Sequence, residues 1–310
     1  MGIVEGKVAL VTGAGRGVGR GEALELAAQG AKVVVNDFGG GMTGEGQDAT
    51  PAEEVVRIIT ERGGEAVANS GNVASWDDAE AMVRQATDTF GALDIVVNNA
   101  GILRDNSIVK MTEDEFDSVI AVHLKGTFNV THHACVYWQG ESKAGRARRA
   151  AVVNTVSSAG LQGNRGQANY GAAKAGIAAL TMITALEGKR SGIRANAIAP
   201  GGATRIVNAT MPSIPIVEAD QVSPDDEFNR LNPGNSAPMV VWLASDEALH
   251  VSGQVFRAVG DGITHYEPWS LGASITTPKG PRRWDPAEIG DAVATGIFGY
   301  GIGGLQMGGG

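Results

Sequence analysis

The chain has 310 residues, 43% hydrophobic and 19% charged, an ordinary globular balance that excludes disorder for its bulk. A single cysteine, Cys135, excludes an intrachain disulfide; no Cys/His cluster has zinc-ligand spacing, and the longest apolar-rich run, Ala172–Leu186, is interrupted by Lys174. No metal and no membrane partner are therefore expected, and a net charge of -9 opposes the broad cationic surface that nucleic acid requires.

The first apolar run, Lys7–Val11, reads as a strand. It leads into Thr12-Gly13-Ala14-Gly15-Arg16-Gly17-Val18-Gly19, and helical periodicity starts near Val18. Glycines at such a junction let the backbone turn tightly and approach a pyrophosphate, which the amides of the new helix would face. Gly13, Gly15, Arg16, Gly17, Val18 and Gly19 are thus candidate dinucleotide contacts. A second run, Ala31–Val35, leads to Asp37, 24 residues beyond Gly13. A carboxylate there can accept the adenosine ribose hydroxyls and repels a 2′-phosphate, which favours NAD over NADP. Arg16 is the counter-signal, since a guanidinium in the loop can pair with a 2′-phosphate.

A helix is expected from Pro51, a strand at Glu65–Ala68 with Asn72-Val73 beyond it, and a helix from Trp76. The fourth strand, Leu93–Val97, runs into Asn98-Asn99-Ala100-Gly101, and a helix begins near Glu113. The fifth, Ala150–Val156, precedes Ser157. A helix from Ala168 then carries Tyr170 and Lys174, four residues apart and so on one face. Arg194–Ala199 precedes Pro200-Gly201 and Thr204, a long connection runs to Phe228, a helix starts near Pro233, and the last strand is Gln254–Val259. Strands alternating with helices, several as continuous Val/Ile/Ala runs, call for a parallel sheet covered on both faces. The expectation is one doubly wound α/β domain of about seven strands over residues 1–265. A Gly/Pro-rich extension, 266–310, is expected to pack on its own or a neighbouring subunit and to end in a mobile or partner-dependent tail, Gly299–Gly310.

The order of Thr-Gly-x-x-x-Gly-x-Gly, Asn-Asn-Ala-Gly, Ser157, Tyr170-x-x-x-Lys174 and Pro200-Gly201 resembles the short-chain dehydrogenase/reductase family. The resemblance implies a Rossmann-type fold and hydride exchange between a nicotinamide and a secondary alcohol or ketone. It makes Tyr170 the acid/base, whose unperturbed pKa of about 10 needs a neighbouring cation for base work at neutral pH. Lys174 would supply that charge and hold the nicotinamide ribose, and Ser157, in preference to Ser158, would hold the substrate oxygen. Asn72 and Val73 would flank the adenine. Asn98, Asn99, Ala100 and Gly101 would line the cofactor cleft, with Pro200, Gly201 and Thr204 on the nicotinamide side. One stretch departs from the family pattern: Val122-His123-Leu124-Lys125-Gly126 has a histidine where many members carry an asparagine that binds a relay water. His123 reads either as a proton-relay group or as a satisfied core histidine.

The stretches 33–40 (VVVNDFGG), 98–105 (NNAGILRD), 122–126 (VHLKG) and 163–170 (GNRGQANY), with the Gly39–Thr50 insertion, are similar to the (3R)-hydroxyacyl-CoA dehydrogenase part of the type 2 peroxisomal multifunctional enzymes. The implied substrate is a 3-hydroxyacyl-CoA, fatty or steroid side-chain. Arg104 and Arg205 lie near the expected cleft as candidates for its negative charges, whereas Lys143, Arg146, Arg148 and Arg149 read as a solvated loop. The Ala203–Phe228 connection is long enough to be a lid over the acyl group. The alternatives are a 17β-hydroxysteroid dehydrogenase, an NADPH-dependent keto-reductase on a non-CoA substrate, and a non-catalytic NAD sensor. The C-terminal Gln306-Met307-Gly308-Gly309-Gly310 is not a peroxisomal address, and MGIVEG lacks a signal-peptide core, so a cytoplasmic enzyme is expected. His132 and His133 are helix neighbours that face different directions and suit no shared metal. The family resemblance implies a homodimer or homotetramer built from the helices around Glu113–Trp138 and Ala168–Gly188.

Overall fold

A computed structural model describes residues 2–220, 228–267, 269–278 and 280–298; the expected mobile tail, Gly299–Gly310, and part of the long connection, 221–227, lie outside the described residues. Eight strands form one sheet: β1 (Val8–Thr12), β2 (Lys32–Asn36), β3 (Ala66–Asn69), β4 (Ile95–Asn98), β5 (Ala150–Thr155), β6 (Ile193–Pro200), β7 (Val255–Val259) and β8 (Gly262–Tyr266). Their order is β3-β2-β1-β4-β5-β6-β7-β8, parallel up to β7, with β8 antiparallel to it. The helices are α1 (Gly17–Ala28), α2 (Thr50–Glu61), α3 (Trp76–Phe90), α4 (Glu113–Ile120), α5 (Gly126–Lys143), α6 (Ser158–Gln162), α7 (Ala168–Gly188), α8 (Arg205–Thr210), α9 (Ala237–Ala244) and α10 (Pro286–Val293). A five-residue π-helical segment, Ala121–Lys125, joins α4 to α5 and carries His123.

Pleating sorts β1 into two apolar layers. Ala9 and Val11 pack with Ala23 and Leu26 of α1 and Val240 and Leu243 of α9. Val8 and Leu10 pack with Met82 and Val83 of α3 and Val130 and Trp138 of α5. Trp138 belongs wholly to this second layer, its Nε1 donating to the Leu93 carbonyl at 2.7 Å. Covered on both faces, the strands read as continuous apolar runs. Several close on a polar residue one position beyond the end that hydropathy marks, among them Thr12, Asn36, Asn69 and Asn98, whereas β5 closes on Thr155, one position short of the expected Val156.

The eighth strand is an addition to the seven expected. β8 is mostly exposed and contains Gly262, Thr264 and His265, because an edge strand outside both core layers needs no apolar run. The basic run before β5 is neutralised as well as solvated: Arg146 pairs with Glu141, Arg148 with Asp94 and Arg149 with Asp246. The chain divides at Tyr266/Glu267 into two units. In the second, Asp285 caps α10 by accepting from Ala287 N at 3.0 Å, and Arg282 pairs with Glu288. Among the described residues no helix is long and apolar enough to cross a membrane, and no group of three His, Cys, Asp or Glu residues is placed to hold a metal.

Candidate active site

Strand order reverses direction between β1 and β4, and open α/β sheets bind ligands in the crevice at that point, outside the carboxyl ends of the strands. The glycine loop leaves β1 there. Gly13 has a φ of +63°, and a Cβ on it would lie 2.7 Å from the Ala100 Cα, so the loop rests directly on the Asn-Asn-Ala-Gly turn. Asn99 holds the two together: its Nδ2 donates to the Thr12 and Gly13 carbonyls, each at 3.0 Å. Arg16 precedes Gly17, Val18 and Gly19 in the first turn of α1, whose leading amides have no intrahelical acceptor.

Asp37 stands just past β2 and is oriented by two backbone donors, Gly15 N to Oδ2 at 2.8 Å and Gly39 N to Oδ1 at 2.7 Å. Each oxygen keeps acceptor capacity for one hydroxyl of a vicinal diol. A Cβ on Gly15 would sit 2.7 Å from Oδ2, so only glycine allows this carboxylate to approach the loop. A loop stripped of side chains beside an aimed carboxylate fits the adenosine diphosphate half of a nicotinamide dinucleotide. Arg205 lies in the same neighbourhood: burial and the like charge of Arg16 hold its guanidinium below its ordinary range, while Asp37 and Glu218 oppose this.

The remaining expected contacts divide. Thr204 caps α8, and a Cβ on Gly17 would lie 3.2 Å from its Cγ2, which puts Thr204 against the glycine loop. Pro200 ends β6, and Gly201 N donates to the Ala258 carbonyl at 3.1 Å. Asn72 is spent on a turn, its Oδ1 accepting from Ala74 N at 2.9 Å. Val73 is buried where a Cβ on Gly126 would meet it, and its carbonyl accepts from Asn129 Nδ2. Asn98 does not line the cleft: it is buried and bonds Asn154 Oδ1 and Thr131 Oγ1. The reason is strand pleating, which sends alternate side chains to opposite faces and turns Asn98 into the packed layer.

Ser157, Tyr170 and Lys174 converge at the carboxyl end of β5. Ser157 caps α6, its Oγ accepting from Ala159 N at 3.2 Å, and its hydroxyl stands close enough to the Tyr170 phenol to favour the phenolate, whereas Ser158 is exposed. Lys174 Nζ donates to the Thr155 carbonyl at 2.6 Å and lies 5.5 Å from the centre of the Tyr170 ring. Burial pulls the lysine down to about 7, with Glu22 partly opposing. Burial likewise pushes the half-buried Tyr170 above its ordinary range, with the neighbouring Ser157 hydroxyl partly opposing. The phenol of the free protein is therefore a proton donor at neutral pH, and Lys174 is only partly charged.

His123 packs edge-on to Tyr170, with ring centres 5.1 Å apart. Its Nε2 lies 2.8 Å from the Ile102 carbonyl oxygen and 3.1 Å from the Ile102 amide, and burial drives its pKa down to about 3. A Cβ on Gly101 would stand 2.3 Å from its Cε1. The histidine is thus a neutral ring wedged between the Asn-Asn-Ala-Gly turn and Tyr170.

Three residues of this region escape a reading of motifs. Thr155 contributes only a carbonyl, which no side chain advertises. Asn169, fully buried, accepts from Tyr170 N at 2.7 Å. Glu22 is buried with both oxygens unpartnered and is pushed up to about 8 by burial, with Lys174 opposing. Its signal was available, since a carboxylate three residues after Gly19 and four before Leu26 interrupts the apolar stripe of α1.

The fold and site define a nicotinamide-dependent oxidoreductase acting on a CH–OH group. The chain belongs to the short-chain dehydrogenase family, whose model matches residues 7–212. It is 41% identical over 289 residues to the hydroxyacyl-CoA dehydrogenase ChsB1 of Mycobacterium tuberculosis, covering 92% of this chain and 87% of that one. It is 40% identical over 279 residues to the mouse peroxisomal multifunctional enzyme type 2, covering 89% of this chain and 35% of that enzyme. A short chain dehydrogenase from Mycobacterium avium has the same fold, with a TM-score of 0.82, 48% identity and 95% of each chain covered.

Proposed function

We propose that the protein oxidises the 3-hydroxyl of a 3-hydroxyacyl-CoA, fatty or steroid side-chain, to the ketone with NAD. The observation that carries the reading is the convergence of Ser157, Tyr170 and Lys174 beside a glycine loop whose partner carboxylate is Asp37; the relative named as a hydroxyacyl-CoA dehydrogenase supports the substrate class. The glycine loop with Val18 would hold the pyrophosphate, Asp37 the adenosine ribose, Ala100 and Gly101 the floor of the cleft, and Thr204 the nicotinamide amide. Bound NAD supplies the hydride acceptor and a positive charge. Ser157 orients the substrate oxygen, Tyr170 takes the hydroxyl proton, and Lys174, tethered to Thr155, fixes the ribose and favours the phenolate when charged. With Tyr170 raised by burial, oxidation accelerates with rising pH as the phenol ionises, and the reverse reduction is favoured towards lower pH.

The test is formation of reduced nicotinamide from NAD or NADP with (3R)- and (3S)-hydroxyacyl-CoA esters, a steroid side-chain thioester and free 17β-hydroxysteroids. Turnover of a (3R)-thioester with NAD is expected, and Tyr170→Phe lowers kcat by about 100-fold or more while NAD still binds. Turnover with NADP alone would favour a second reading, a keto-reductase in which Arg16 and Arg205 take a 2′-phosphate; their proximity to Asp37 is the observation behind it. A cytoplasmic, reducing location accords with a single, half-buried cysteine whose thiol is pushed up to about 11. Assembly as a homodimer or homotetramer is supported by exposed Phe128 and Val136 on α5 and Ile183 and Leu186 on α7.

A further inference from the structure

Residues 39–50 leave β2 directly after Asp37 and return at the start of α2. Asp48 N, donating to the Phe38 carbonyl at 3.3 Å, closes the base of this strap, and Gly41 N, donating to the Glu45 carbonyl at 2.6 Å, closes its tip. Between them the strap is fastened to loops from two further strands. Leu103 N donates to the Met42 carbonyl at 3.1 Å, Arg104 Nε to the Thr43 carbonyl at 2.9 Å and Gln47 Nε2 to the Ser70 carbonyl at 3.4 Å. Because β2 and β4 flank β1, a segment joining the loops after β2 and β4 crosses the crevice at the glycine loop. It spans the adenosine end, which Asp37 marks.

Arg104 has a second set of bonds. Its guanidinium pairs with Asp114 in the first turn of α4, so the side chain is committed on both sides and is not available to a CoA phosphate as the sequence suggested. Its carbonyl accepts from Asn169 Nδ2 at 2.9 Å; the same amide nitrogen bonds the Glu115 carbonyl, and Asn169 Oδ1 accepts from Tyr170 N at 2.7 Å. A continuous chain of hydrogen bonds therefore runs from the strap through Arg104 and Asn169 to the backbone of Tyr170. Building on the nucleotide-binding reading above, we propose that residues 39–50 clasp the adenosine half of the dinucleotide and that Arg104 is a positioning residue tying this clasp to Tyr170.

The experiment compares the intact protein with Arg104→Met, with a variant whose tip, residues 41–45, is replaced by two glycines, and with the double variant. ADP-ribose affinity is read by calorimetry and kcat at saturating NAD. Each single variant is expected to weaken ADP-ribose binding several-fold and to lower kcat about tenfold, and the double variant to be no worse than either, since both break one path. Wild-type ADP-ribose affinity and kcat in the folded single variants, with only the melting temperature lowered, would make Arg104 merely structural and overturn the clasp. Losses that multiply to about a hundredfold in the double variant would overturn it too, because the strap and Arg104 would then act separately. The tip variant leaves the Arg104–Asp114 pair in place and decides alone should Arg104→Met not fold. A wild-type protein that binds ADP-ribose but turns over no hydroxyacyl-CoA would retire the substrate reading and leave the clasp to be judged on affinity.

Discussion

Glu22 is a carboxyl group with neither solvent nor a hydrogen-bond partner, and its proton decides what it does to stability. The folded pKa of about 8 stands above the ordinary 4.5, so between these values the folded chain keeps a proton that the unfolded chain releases. Its contribution is full below 4.5 and is lost as pH rises to 8, by roughly 5 kcal/mol on the linkage relation. Lys174 works in the opposite sense. Its folded pKa of about 7 lies below 10.5, so burying it destabilises the fold increasingly as pH falls from 10.5 towards 7. Glu22→Leu removes the first effect, and its melting temperature is expected to exceed that of the wild type by more at pH values near 8 than near 5. Thermal melts of both proteins at the two pH values check this; a difference that does not change with pH would show that Glu22 is ionised or solvated in the folded state.

At the scale of elements, α4 is held by reciprocal capping: Thr112 Oγ1 accepts from Glu115 N at 3.2 Å and Glu115 Oε2 from Thr112 N at 2.7 Å. Thr112→Ala is expected to cost about 1 kcal/mol in denaturant unfolding, with Thr112→Ser restoring most of it. The sequence reading placed this helix near Glu113 without its cap, whereas the buried strands were legible as apolar runs and the Tyr170/Lys174 pair as a spacing of four. What stayed illegible has a common cause. The Lys174 tether, the strap fastenings and the His123 anchor all use backbone carbonyls or amides as partners, which every residue offers. Arg104 looked like a free cation beside the cleft because nothing in the sequence shows that Thr43 O and Asp114 reach it. The π-helical segment around His123 was hidden for the same reason, since its apolar residues fit an α-helix equally well.

On the scale of the whole molecule, exposed apolar side chains of α5 and α7 carry a prediction about assembly. Val136→Glu with Leu186→Glu, placing two charges on residues that are 57% and 78% exposed, is expected to shift the sedimentation profile from an oligomer to a monomer without unfolding it. An unchanged mass would move the interface elsewhere. The antiparallel edge of the sheet bears on time rather than space. Strands β1 to β7 pair only through crossovers, and each such pairing must close a long stretch of chain before it is rewarded. β7 and β8 pair across Gly260 and Asp261 alone, with Gly260 at a φ of +59° as the first position of a tight hairpin turn. During synthesis the chain emerges with its slow, non-local pairings first and its fastest one last. The hairpin can therefore snap shut as soon as it emerges, so β7 is covered at once and the short, polar β8 becomes the edge that other nascent chains meet.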